Sequence, residues 1–172
     1  MSRLIIMTGP CCAGKTTFVN KMKEEGGLDG FDIISPEEVY EAINGSAADR
    51  SNREWAWLLI WHRILANMQS GTDTLVDANA PTECARTQYL EWFRGFTSHE
   101  LIYIDTNVST LCQHNEKRTE RKLCGWDLIT QWRNYENPAN DSHIDEWDSF
   151  MCWTSDEDGS FTLIKKHKKG EF

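Results

Sequence analysis

The chain has 172 residues, 40% of them hydrophobic and 26% charged, and a formal net charge of −9. That length suits one domain, residues 1–172, with a sizeable core, and that charge excludes a protein that coats nucleic acid by general electrostatic attraction. The longest apolar run, around Trp57, is too short to span a bilayer, so no membrane partner is expected, and six cysteines without metal-ligand spacing point to reduced thiols in a cytoplasm.

Leu4-Ile5-Ile6-Met7 reads as a buried strand, and with a strand so early no signal peptide is expected. Residues 9–16, Gly-Pro-Cys-Cys-Ala-Gly-Lys-Thr, then fit the phosphate-binding pattern G-x-x-x-x-G-K-[ST] at every fixed position. The glycines let successive N–H groups curl round an anion. Gly9, Pro10, Cys11, Cys12, Ala13, Gly14, Lys15, Thr16 and Thr17 form the candidate binding turn, with Lys15 placed to reach the outer phosphates and the Thr16 hydroxyl to hold Mg²⁺. Phe18 and Met22 lie on the helix that follows, whose N-terminus faces the phosphates. Cys11 and Cys12 read either as small apolar filler or as thiols acidified by that helix N-terminus.

Gly26-Gly27 and Gly30 close the first helix, and Asp32-Ile33-Ile34 is a short second strand. Ser35-Pro36-Glu37-Glu38 looks like a helix start, with Ser35 as N-cap and Glu38 closing a capping box. After a break at Asn44-Gly45-Ser46, a long helix is predicted from about Asn52 to Gln69. It carries two apolar stripes, one of Trp55, Leu58, Leu59, His62 and Leu65, the other of Trp57, Trp61, Ile64 and Met68. A helix apolar on most sides is expected to be buried, with His62 a satisfied core or groove histidine. The second stripe suits core packing or a dimer contact better than an acceptor pocket in which tryptophan stacks on a base.

Thr74-Leu75-Val76 is the third strand, Pro81 starts another helix, and Leu101-Ile102-Tyr103-Ile104 is the fourth strand. A helix, a basic segment (Lys117, Arg118, Arg121, Lys122) and a further helix lead to Asn137-Pro138. A C-terminal hairpin is predicted over about 149–165, turning at Asp156-Glu157-Asp158-Gly159. The lysines at 165, 166, 168 and 169 read as a solvated face. This alternation argues an α/β fold with a mainly parallel sheet.

The phosphate loop, Ser35-Pro36-Glu37-Glu38, Val76-Asp77-Ala78-Asn79 and His114-Asn115-Glu116-Lys117-Arg118 together resemble the kinase domain of phage-type polynucleotide 5′-hydroxyl kinases and their small P-loop relatives of the zeta-toxin-like and AAA_33-like kinds. The resemblance covers roughly residues 3–138. It implies a three-layer P-loop NTPase fold, a parallel five-stranded sheet of order 2-3-1-4-5 and a helical lid at about 114–126. It also implies ATP and Mg²⁺ as cofactors and transfer of the γ-phosphoryl group to a hydroxyl, in a host cytoplasm if the protein belongs to a phage.

The same resemblance implies the site. Glu37 matches the carboxylate that takes the acceptor's proton, usually an Asp. Asp77 matches the carboxylate that organises Mg²⁺, while Asp105 reads as structural. Arg118 matches the lid arginine, and Arg121, three residues on, would lie one helical turn away; both would offset charge on the phosphoryl group in transit. One position departs from the family. Three residues beyond the base an Arg usually binds the substrate's phosphate, and here stands Tyr40, which carries no charge but can stack on a base. Arg50 and Arg53 could replace that contact or be surface charges.

The leading expectation is therefore a polynucleotide kinase-like enzyme acting on a nucleic-acid hydroxyl. The alternatives are a kinase for a hydroxymethylated base (5-hydroxymethyluridine) in phage DNA or for a nucleoside or nucleotide, and, from another class, a nucleotide-binding switch that hydrolyses ATP slowly. The acceptor and the oligomeric state stay open.

Overall fold

The computed structural model describes residues 2–119 and 121–170. Six strands form one sheet: β1 (Arg3–Thr8), β2 (Asp32–Ile34), β3 (Thr74–Asp77), β4 (Ser98–Asp105), β5 (Ser149–Ser155) and β6 (Phe161–Lys168). They lie in the order β2-β3-β1-β4-β5-β6, parallel apart from β6, which runs antiparallel to β5. The expected order 2-3-1-4-5 is found, and the fifth parallel strand is the first strand of the C-terminal hairpin itself. The hairpin runs on to Lys168, so the lysines at 165, 166 and 168 belong to an exposed edge strand. Charged side chains there discourage a second chain from pairing with the open edge.

Alternation along the strands divides the core between the two faces of the sheet. Leu4, Ile6, Val76, Leu101, Tyr103 and Phe150 face one side, and Ile5, Met7, Leu75, Ile102 and Ile104 face the other. The helices α3 (Arg53–Ser70) and α4 (Glu83–Trp92) pack on the first face through Ile60, Ile64, Tyr89 and Leu90. On the second face α1 (Lys15–Glu24), α5 (Val108–Glu116) and α6 (Gly125–Arg133) pack through Phe18, Val19, Leu111 and Leu128. The remaining helix, α2 (Pro36–Asn44), packs beside α3. Each such aliphatic or aromatic side chain stabilises the fold by about 1.5–3 kcal/mol when fully buried.

Helix α3 divides its two stripes unequally. Trp57, Trp61, Ile64 and Met68 pack on the core, where Trp61 stacks on Phe93 at 5.5 Å, so the second stripe is core as expected. The first stripe faces solvent instead: Trp55 and Leu58 are each 55% exposed and His62 is exposed, not a core or groove histidine. The reason is geometric. The helix docks through Ala56, Ile60 and Ile64, and the first stripe lies on the opposite side of the cylinder.

Two helix starts also differ from expectation. The Ser35 side chain makes no cap bond and lies 3.5 Å from Glu37 Oε2, so the capping box with Glu38 does not form. Helix α4 begins at Glu83, not Pro81, because the Thr82 hydroxyl accepts the Ala85 N–H at 3.2 Å and fixes the N-cap there.

A buried ion pair ties α4 to the segment before β5. Arg86, with none of its surface exposed, donates to Asp141 at 2.6 and 2.5 Å and to the Ala80 carbonyl at 2.9 Å. Its planar fork is thus satisfied by the carboxylate and by the backbone leaving β3.

Candidate active site

In a sheet of this order the crevice beyond the carboxyl ends of the strands is where ligands bind. The register sets Met7 beside both Asp77 and Ile102, so the turn after β1, Asp77 at the end of β3 and Asp105 at the end of β4 share one edge. Two glycines let the turn follow β1 so tightly. A Cβ on Gly9 would lie 2.7 Å from the Ile104 carbonyl oxygen, and Gly14 starts α1 with a φ of +93°.

The outward carbonyls of the turn are pinned by distant elements. Ala13 O accepts from Ser155 Oγ at 2.9 Å and Thr106 Oγ1 at 3.3 Å, and Cys12 O lies 3.0 Å from His114 Nδ1. In a trans peptide the N–H points opposite to the C=O, so fixing the Ala13 carbonyl outward turns the Gly14 N–H into the turn. Lys15 Nζ donates to the carbonyls of Gly9 (2.8 Å) and Pro10 (3.0 Å), which seats the ammonium inside the loop. The arrangement offers N–H groups, one ammonium and a helix N-terminus to an anion. Beside it, a cavity of about 550 Å³ is lined by Gln113, Glu116, Lys117, Glu157 and Asp158.

Thr16 and Asp77 meet at the foot of the turn, with the hydroxyl donating to Asp77 Oδ2 at 2.9 Å. Burial pushes the Asp77 carboxyl above the usual carboxylate range, against the pull of Lys15 and the Thr16 bond, and the charges of Glu37 and Glu38 raise it further. A buried carboxyl short of positive charge, joined to a hydroxyl, is a donor set that suits Mg²⁺. Thr17, next on α1, is exposed. Asp105 accepts from the Tyr103 hydroxyl at 3.1 Å, and the N-cap of α5 is Asn107.

Across the crevice, Glu37 opens α2 and is met by two arginines: its Oε1 lies 3.5 Å from Arg50 and 3.7 Å from Arg121. Arg118 reaches the phosphate turn, with Nη1 3.7 Å from Cys11 Sγ. The segment between α5 and α6 therefore touches both the turn and the candidate base. It is not helical at its arginines. Arg121 has a φ of +54°, in the left-handed region, so the two guanidiniums are not one helical turn apart. Asn115 closes the base of this segment, exchanging bonds with the Leu123 backbone at 2.8 and 2.9 Å.

Tyr40 is buried, and the Arg50 guanidinium covers its ring at 3.9 Å from the centroid. The tyrosine thus offers no open face to a base; it presents an arginine instead. Both arginines are exposed, but Arg50 meets Glu37 and Tyr40 while Arg53 sits on the first turn of α3.

Sequence reasoning passed over the groups that hold the strand ends together. Tyr135 donates to Asn79 O at 2.8 Å and contacts the Thr8 hydroxyl, which also donates to Asn79 O at 2.8 Å. These bonds join the exits of β1 and β3, from which Gly9 and Asp77 project. Ser155 and Thr106 escaped notice for the same reason: they act on the turn from strand ends 142 and 93 residues away in sequence.

Among the described residues, no helix is long and apolar enough to cross a membrane. Among curated proteins none matches the chain in sequence. Solved structures do match in fold. One, of the PezAT chromosomal toxin–antitoxin system of Streptococcus pneumoniae, is 14% identical with a TM-score of 0.69, over 96% of this chain and 72% of that one. A chain of the Pnkp1/Rnl/Hen1 RNA repair complex is 14% identical with a TM-score of 0.68, over 77% of this chain but only 43% of its own length. A gluconokinase from Sinorhizobium meliloti 1021 is 16% identical with a TM-score of 0.54, over 87% and 81%. At these identities the likeness shows the fold. The AAA_33 family model, described as an AAA domain, matches residues 4–131. With the phosphate turn inside that span, the chain belongs to the AAA_33 family, a P-loop kinase-type family of phosphotransferases.

Proposed function

We propose that this phosphotransferase moves the γ-phosphoryl group of ATP, with Mg²⁺, to a hydroxyl of a nucleic-acid substrate, in the manner of a polynucleotide kinase. The observation that carries the reading is the pair of contacts made by one segment: Arg118 on the phosphate turn and Arg121 on Glu37. A segment that reaches both the phosphate turn and the candidate base favours transfer to an acceptor over a switch that only hydrolyses ATP slowly.

The geometry supports the following roles. The turn and Lys15 hold the phosphates in place. Thr16 and Asp77 would hold Mg²⁺, which when bound neutralises charge on the phosphate oxygens. Glu37 takes the proton of the attacking hydroxyl, and Arg118 with Arg121 offsets the charge of the phosphoryl group in transit. The alcohol oxygen forms its bond to the γ-phosphorus as the bond to the bridging oxygen breaks, and ADP leaves.

Arg50 favours an acceptor that itself carries a phosphate. It stands where the crevice would otherwise present only the neutral Tyr40. The RNA repair complex among the structural neighbours is in keeping with a polynucleotide acceptor, whereas the gluconokinase uses the same fold on another substrate. A transfer screen tests the reading: γ-labelled ATP is offered with 5′-hydroxyl DNA and RNA, hydroxymethyl-base DNA, and free nucleosides and nucleotides. Label in 5′ ends is expected. Label on an internal base would move the assignment to a hydroxymethyl-base kinase, and ATP turnover indifferent to every acceptor would replace it with the switch.

A further inference from the structure

Cys11 and Cys12 lend their backbones to the phosphate turn, but their thiols have no task in the proposed transfer. The two sulfurs lie 3.9 Å apart, and Arg118 reaches Cys11 Sγ at 3.7 Å. Cys12 is buried with a φ of +67°, while Cys11 is partly open at the mouth of the turn. The bond from Cys12 holds the Cys11 thiol down to about 5, burial opposes this, and Arg118 and Lys15 add to the lowering. Cys12 is pushed up chiefly by that same bond and keeps its proton. Elsewhere, Cys84 is exposed, Cys112 is half-buried, Cys124 is exposed with its sulfur accepting the Asp127 N–H at 3.4 Å, and burial raises Cys152 to about 11.

We propose that Cys11 is a modification site for hydroperoxides and that Cys12 is its resolving thiol, so that the phosphate turn closes into a vicinal disulfide when oxidised. The sulfur of Cys11 attacks one peroxide oxygen; an S–O bond forms, the O–O bond breaks, and the departing oxygen leaves as water or an alcohol. Cys12 then attacks the Cys11 sulfur, an S–S bond forms, the S–O bond breaks, and the hydroxide leaves as water with the Cys12 proton. Two thiols lose two electrons and two protons, and the peroxide is reduced. The sulfurs must approach from 3.9 Å to about 2.05 Å, which reshapes the backbone that presents its N–H groups to phosphate. Adjacent Cα atoms, about 3.8 Å apart, are closer than disulfides prefer, so the bond is strained and readily reduced again.

The experiment treats the reduced full chain with one equivalent of hydrogen peroxide and maps the tryptic peptide Leu4–Lys15, which holds both thiols and no other cysteine. Loss of two hydrogens, restored by dithiothreitol, is expected. Cys12→Ser should stop at a Cys11 sulfenic acid trapped by dimedone, and Cys11→Ser should abolish the reaction. Iodoacetamide labelling of the untreated chain gives a second measure: Cys11 should label at a nearly constant rate from pH 6 to 8, and faster than Cys84 and Cys124 at pH 6. Labelling of Cys11 no faster than Cys84 and Cys124 at pH 6, or an oxidised peptide that has not lost two hydrogens, overturns the proposal. The consequence for nucleotide binding rests on the kinase reading and is separable: ATP should shield Cys11 from iodoacetamide, and intact thiol chemistry without shielding counts against that reading alone.

Discussion

The two walls of the crevice are built differently. On the donor side the phosphate turn is braced by bonds of 2.9–3.3 Å from Ser155, Thr106 and His114, and the strand ends behind it are joined through Tyr135 and Thr8. On the acceptor side Glu37, Arg50 and Arg121 are each 40% exposed or more, and meet at 3.5–3.7 Å, longer than a close charge-assisted bond. One wall is preorganised and the other is left to adjust. This is the division expected of an enzyme whose donor is fixed and whose segment over the site must admit and release an acceptor.

The contrast can be broken hardest from the scaffold. Arg86→Ala leaves the Asp141 carboxylate buried without its partner and should cost about 3–5 kcal/mol in urea unfolding; a loss under 1 kcal/mol would mean that the pair braces nothing. Glu37→Gln tests the adjustable wall: ATP affinity should hold while transfer falls by at least about a hundredfold, and near-normal transfer removes Glu37 as base. Arg50→Ala should raise the acceptor KM by about tenfold, roughly the 1.4 kcal/mol of one exposed charge-assisted contact, with ATP affinity unchanged. Arg53→Ala should change neither, and equal effects of the two would deny Arg50 its place.

The smallest effect concerns Asp77, on the rigid wall. Its carboxyl is raised in the folded state, so the fold binds that proton more tightly than the unfolded chain does. Stability therefore falls as pH rises from the ordinary carboxylate range through the raised value. Asp77→Asn removes this fall. The unliganded variant should melt above the parent at pH 7 and approach it well below about pH 4, where the parent's Asp77 is protonated in the folded and the unfolded chain alike. A variant that melts lower at pH 7 would show the Thr16 bond to outweigh the buried charge.

What could be read from the sequence divides along the same line. The strand–turn–helix around Lys15 was legible because its residues are contiguous and each has a local reason: apolar strand, glycines, helix start. Asp77 was singled out by the family resemblance, since Asp105 also follows an apolar strand. The acceptor wall was not legible. Whether Tyr40 faces a substrate depends on Arg50, ten residues on and in another element, folding over its ring. Arg121 looked like a helical neighbour of Arg118 because spacing does not disclose a left-handed backbone. The outward stripe of α3 was misjudged because composition says how apolar a helix is, while docking decides which side is covered.

The hairpin's hold on the phosphate turn has a consequence for synthesis. Ala13 gains its two carbonyl partners from residues 106 and 155, and Phe161 comes to rest on Gly14, so a chain emerging from the ribosome carries its nucleotide loop first and its braces last. A nascent fragment that stops short of the final two strands has the loop with Thr106 and His114 but lacks Ser155 and Phe161. Full bracing of the loop therefore awaits synthesis of the segment that carries Ser155 and Phe161.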